Sequence, residues 1–121
     1  MALLIQGIVM NTTLKFNGTG TAALALAGTV PVGQTYRLIS LTLNLSAAPT
    51  TSENLTITLD AHAGAIYDTL LYSLDLSAGA TADLVWQPDP ELLLECNDVV
   101  RVAWANTDVR NYGAQITMKA V

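Results

Sequence analysis

Charge is the scarcest feature of this sequence. Only 12% of its 121 residues are Asp, Glu, Lys or Arg, about half the share of an ordinary soluble domain. Such a surface must be dressed in neutral Thr, Ser, Asn and Ala or be covered by partner subunits. Positive charge is rarer still. Lys15, Arg37, Arg101, Arg110 and Lys119 stand apart in a chain of net charge −5, so no basic stripe exists to neutralise phosphates and nucleic acid is not an expected partner. The one cysteine, Cys96, excludes an internal disulfide framework. It follows Leu92–Glu95 and reads as a small buried or half-buried residue, with no histidine or second cysteine near in sequence to make it reactive. Long apolar runs are missing as well. The longest, Met1 to Met10, is broken by Gln6 and Gly7 and falls well short of the roughly 20 residues that span a bilayer, so no membrane partner is expected. No basic residue precedes it, so it does not read as a signal peptide, and Met1 reads as the start of the mature chain.

What is present is alternation. Leu41, Leu43 and Leu45 alternate with Ser40, Thr42 and Asn44, and Leu55, Ile57 and Leu59 with Asn54, Thr56 and Thr58. Residues two apart on a strand share a face, so each run offers one apolar face and one neutral polar face. The same logic puts Leu70, Tyr72, Leu74 and Leu76 on one face, turns Leu84 and Trp86 inward, and makes strands of Leu92–Leu94, Val99–Trp104 and Gln115–Lys119. Residues 47–52, 77–80 and 106–111 carry turn chemistry between the runs. No segment shows a helix cap followed by a sustained 3.6 period. The pattern predicts an all-β jelly-roll or β-sandwich of about eight antiparallel strands.

Residues 1–33 differ in being rich in small side chains and poor in aromatics. Asn17-Gly18-Thr19-Gly20 reads as a joint, and Pro31-Val32-Gly33 as the point where the sandwich proper, residues 34–121, begins. The whole is expected to form one structural domain. The apolar Leu3, Leu4, Ile5, Ile8 and Val9 must be buried somewhere. They belong either to an edge strand of their own domain or to an arm that pairs with a neighbouring subunit, which makes them candidate interface residues.

Catalytic constellations are thin. Asp60 and His62, two apart, would share a strand face, and Asp68 would approach across a hairpin to complete a zinc- or calcium-type ligand set; a solvent-facing pair at a strand end explains the same residues. Nothing near His62 resembles a nucleophile elbow. Glu91 and Glu95 flank a short leucine strand at a spacing that suits a glycosidase pair, but polar faces of strands produce such pairs routinely. No glycine loop of the phosphate-binding kind occurs, and no cofactor is expected. Trp86 and Trp104 fall in register with inward aliphatic residues and read as core. Tyr67 and Tyr112 lie beside loops and are the candidate ligand-binding aromatics, for instance for a surface glycan.

The stretch Tyr36-Arg37-Leu38-Ile39-Ser40-Leu41-Thr42-Leu43-Asn44-Leu45-Ser46, with Asn54–Asp60, Asp83–Asp89, Asn97–Trp104 and Tyr112–Ile116, resembles small jelly-roll structural proteins of tailed bacteriophages. That group includes capsid decoration proteins and fibre or tail appendage domains. The resemblance covers residues 34–120 and rests on the pattern of strands and loops. It implies a non-enzymatic virion component assembled in the host cytoplasm. Its implied partners are copies of itself, as a homo-oligomer with a trimer favoured, and the major capsid protein or other virion proteins.

Overall fold

The computed structural model describes residues 12–121, and the alternating runs are strands in it. In chain order they are β1 (Thr13–Gly20), β2 (Leu24–Thr29), β3 (Tyr36–Leu45), β4 (Asn54–Asp60), β5 (Thr69–Asp75), β6 (Asp83–Trp86), β7 (Leu92–Leu94), β8 (Val99–Trp104) and β9 (Tyr112–Ala120). A 3-10 turn at Ala65–Tyr67 is the sole helical element among the described residues.

The chain runs as one long antiparallel ribbon rolled over on itself. β1 lies against β9, β2 against β8, β3 against β6 and β7, and β4 against β5. Rolling brings β9 against β3 and β8 against β4. The result is two sheets, β1-β9-β3-β6 with β7 also on β3, and β2-β8-β4-β5. This is jelly-roll connectivity, and it places the all-β expectation on firm ground.

The core sits between the sheets and consists of the residues that the alternation points inward. Leu41, Leu43 and Leu45 of β3 meet Leu55 and Ile57 of β4, Val100, Val102 and Trp104 of β8, and Ala114, Ile116 and Met118 of β9, all buried. Each fully buried aliphatic side chain stabilises the fold by about 1.5–3 kcal/mol relative to exposure. The intervening Thr, Asn and Gln residues face outward; Gln115, for example, donates to Asn17 Oδ1 at 2.7 Å across the outer face.

Three local readings change. Asn17–Gly20 is no joint: it is the second half of β1, paired residue by residue with β9 from Asn17↔Gln115 to Gly20↔Tyr112. Small side chains give little periodicity, yet their backbones supply the same ladder of donors and acceptors. Leu24 and Val30 are likewise in the core, so packing starts well before residue 34, with β1 and β2 as edge strands of the two sheets. Second, Leu70 is 59% exposed. A register shift between Ile57 and Thr58 leaves Leu71 without a partner on β4, and this bulge re-aims the start of β5. Third, Trp86 points inward but is only half-buried, stacked on Tyr72 with ring centroids 5.6 Å apart. Leu3, Leu4, Ile5, Ile8 and Val9 lie outside the described residues.

β1 and β2 approach each other closely at one side of the sandwich, where Gly28 makes room for the Phe16 ring. A Cβ at Gly28 would stand 2.7 Å from Phe16 Cδ2, whereas one at Gly113 would meet nothing within 4 Å. Gly28→Ala should therefore lower unfolding free energy by about 1–3 kcal/mol in urea titration, the usual cost of overpacking. Gly113→Ala should cost far less, and equal losses at the two positions would contradict this packing.

Candidate interaction site

The roll sends its connections to two ends, and the ends are chemically unlike. One gathers residues 21–23, 46–53, 76–82 and 105–111. Here polar side chains stitch loop to loop. Asn106 is buried and in the left-handed region at φ 52, a conformation asparagine tolerates better than most residues. Its Nδ2 donates to the carbonyls of Thr21, Ala22 and Arg110 at 2.9–3.0 Å, and its Oδ1 accepts from Arg110 N–H at 2.8 Å. The Asp108 carboxylate accepts from the hydroxyl of Thr51 at 2.6 Å and from the backbone N–H groups of Thr50 and Thr51 at 2.6 and 2.9 Å. The Thr51 hydroxyl, with these N–H groups, holds its carboxyl well below the usual carboxylate range. Asp75 is lowered in the same way, first by the Ser52 hydroxyl and then by Ser77. Glu53 accepts from the Thr107 N–H at 3.0 Å and from its hydroxyl. The carboxylates at this end are committed to holding loops.

The other end gathers residues 30–35, 61–68 and 87–98. One buried carboxylate organises it. Asp98 accepts from the His62 and Glu95 N–H groups, each at 2.9 Å, while its carbonyl accepts from Val30 N–H at 2.9 Å. Around this tie exposed apolar side chains stand among exposed His62, Asp68, Asp89, Glu91 and Glu95. Val32, Ile66, Tyr67, Leu70, Leu93 and Val121 are all exposed here, Ile66 to 86%; Val121 belongs to this end through its N–H bond to Thr35 O at 3.1 Å. Beside them runs a groove of about 370 Å³ whose apolar walls are Leu71, Trp86, Pro88, Pro90 and Leu92. Thr12, where the described chain starts, lies at the same end, its carbonyl accepting from Ala120 N–H at 2.8 Å.

The sequence-derived candidates fall as follows. β4 stops at Asp60 and the chain turns through Ala61–Gly64, closed by Gly64 N–H to Ala61 O at 3.1 Å, so Asp60 and His62 are not on one strand face. Asp60 instead pairs with Arg101 Nε at 3.0 Å, and Asp68 Oδ1 accepts from Ala61 N–H at 2.8 Å. Among the described residues no group of three or more His, Cys, Asp or Glu side chains gathers to hold a metal. Glu91 forms an ion pair with Arg37 at 2.8 Å, and Glu95 lies beyond the far end of β7. Tyr67 is exposed at the apolar end. Tyr112 is half-buried at the start of β9, opposite Gly20 and Leu45 and therefore at the polar end. The two tyrosines cannot share one ligand. Cys96 is half-buried. The groove was missed in sequence because it depends on the bulge at Leu71 and on Trp86 sitting at an edge, neither of which has a periodic signal. No helix among the described residues is long and apolar enough to cross a membrane.

No protein-family model matches the chain, and no curated protein matches it in sequence. Solved structures do. A chain in the acid-stable capsid of Helicobacter pylori bacteriophage KHP30 superposes with a TM-score of 0.59 at 11% identity, over 92% of this chain and 90% of that one. What the two share is the fold. A family two carbohydrate esterase from Cellvibrio japonicus aligns over 93% of this chain but only 35% of its own, with a TM-score of 0.40 and 13% identity, too low a likeness to carry an argument.

The depressed carboxyl of Asp108 fixes the sign of a pH effect. A group with a lower pKa folded than unfolded contributes stability that is complete above the unfolded value, about 3.9 for Asp, and is lost as pH falls through the folded one. The urea midpoint of the native chain should exceed that of Asp108→Asn by a constant margin near neutrality, and the margin should shrink as pH drops below about 4. A margin independent of pH would show that the carboxylate does not hold the loops in this way.

Proposed function

We propose that this chain is a non-enzymatic structural subunit of a phage virion, and specifically a capsid decoration, or cement, protein. It acts as a homo-oligomer, a trimer by preference, seated on the major capsid protein and reaching its place after assembly in the host cytoplasm. The observation that carries the reading is the end-to-end correspondence of fold with a phage capsid chain. A second observation supports it from physics alone. Several large apolar side chains, Val32, Ile66, Tyr67, Leu70 and Leu93, are exposed at one end of the sandwich, and exposed apolar side chains are what a docking partner would cover. Low charge fits the same use, because few ions need to be desolvated when faces meet. Leu3, Leu4, Ile5, Ile8 and Val9 supply further apolar contact in the assembly.

A tail or fibre appendage subunit is the second reading and differs in location alone. One experiment separates the two. Purified chain is added to heads and, separately, to tails that lack it, and the particles are sedimented. Saturable binding to heads, with a rise in the temperature at which they release DNA, is the expected result. Binding to tails alone would move the chain to the appendage class, and binding to neither would remove the virion reading. Deletion of residues 2–11, which leaves β1 and its pairing with β9 intact, should preserve the circular dichroism of the sandwich and reduce head binding by about tenfold or more, a loss of roughly 1.4 kcal/mol or more. Undiminished binding would relieve those apolar residues of any interface role.

A further inference from the structure

A strand edge with unpaired N–H and C=O groups invites another strand, and the outer strands of this sandwich are not equally inviting. β1 and β2 lie together, with Phe16 packed on Gly28 and Leu26 on Gly18 closing that side. β6 and β7 have only 4 and 3 residues, and Pro88 and Pro90 between them have no N–H to offer. β5 is different. It has 7 residues and, among the described residues, pairs with β4 on one side only. Its free edge borders the groove, where Leu71 stands with Trp86, Pro88, Pro90 and Leu92 and with Gln87, Asp89 and Glu91 at its polar margin.

We infer that Leu3–Val9 of a neighbouring copy adds to the free edge of β5 as a further strand. The segment matches the site in three respects. It spans the same number of residues as β5. Its alternation puts Leu3, Ile5 and Val9 on one face, with Gly7 among them, and Leu4, Gln6 and Ile8 on the other, so one apolar row fills the groove while backbone hydrogen bonds complete the ladder. It also leaves the fold at Thr12, on the end of the sandwich that carries the exposed apolar residues.

Reach assigns the strand to a neighbour. Between Val9 and Thr12 stand only Met10 and Asn11, which allow at most about 11 Å between those Cα atoms. β5 is the far edge of its sheet from β2, three strand spacings or about 14 Å away, and lies in the opposite layer from β1, about 10 Å through the sandwich. A chain's own arm falls short of its own β5. The arm of an adjacent copy does not have this constraint, and the contact is head-to-tail, the kind that closes into a ring such as a trimer. The inference rests on the homo-oligomeric part of the proposed function and is independent of the capsid as partner.

The test uses the full chain with Cys96→Ser. One tagged copy carries Gln6→Cys; a differently tagged copy carries a cysteine at Leu70, Ser73 or Asp75 of β5, or at Thr19 of β1 as the remote control. The two are co-expressed, purified as the native oligomer and oxidised. At least one β5 position should cross-link between copies at least about tenfold faster than Thr19, because strand pairing raises the local concentration of the two thiols. In the native chain the β5 amides should exchange slowly with solvent, and Ile5→Pro, which removes a ladder donor, should speed them about tenfold. An oligomer of native mass that cross-links no faster at β5 than at Thr19 would overturn the strand addition alone. A monomeric native mass would overturn both this inference and the homo-oligomeric reading, whereas cross-linked oligomers that fail to bind heads would sink the capsid role and leave the strand addition standing.

Discussion

Each strand of this sandwich has a face that water disfavours, and those faces are covered only by the opposite sheet. Leu41, Leu43 and Leu45 on β3 and Ile116 and Met118 on β9 form one wall; Leu55, Ile57, Val100 and Val102 form the other. Because side chains alternate with period two, a slip of one residue in any ladder would turn a whole wall outward. The registers of β3 with β9 and of β4 with β8 therefore fix everything else. They set which loops meet at each end, which strands are left at the edges, and where Trp86 and Leu71 come to line a groove. The cohesion of the described residues is apolar burial and the backbone ladder.

That constraint was also the most legible part of the sequence. Strict alternation in residues 41–45, 55–59 and 99–104 carries its own face assignment, and the buried residues are the ones it names. Legibility failed where side chains are small or where the period breaks. Asn17–Gly20 and Leu24–Gly28 have too little hydrophobic contrast to declare a face, although backbone pairing with β9 and β8 makes strands of them. The period that groups Leu70 with Tyr72, Leu74 and Leu76 on one face is interrupted by the bulge at Leu71. The Asp60–His62–Asp68 grouping assumed a strand running on past Asp60, whereas a turn closed by Gly64 ends it. Long-range ties between loops, such as Asn106 to Thr21 and Ala22 or Asp98 to His62, join residues with no mark in local sequence.

The two ends of the sandwich are held together differently. At one end carboxylates and hydroxyls bind loops to each other and leave a wet, stiff surface around Asp108, Asp75 and Glu53. At the other, a buried Asp98 holds the backbone while Ile66, Tyr67, Leu70 and Leu93 stay outside the core. Exposed apolar side chains of that size, grouped beside an open strand edge, promote uncontrolled association unless assembly covers them. On the proposed reading, a subunit seated on a particle would turn the end with exposed apolar residues toward its neighbours.

Hydroxyl-radical footprinting of the free chain against the particle-bound chain tests that polarity most directly. Bound chain should be protected at Ile66, Tyr67, Leu70 and Leu93 while Val109, at the polar end, reacts as it does in the free chain. Protection centred on residues 105–111, with Tyr67 and Leu93 as reactive bound as free, would contradict it.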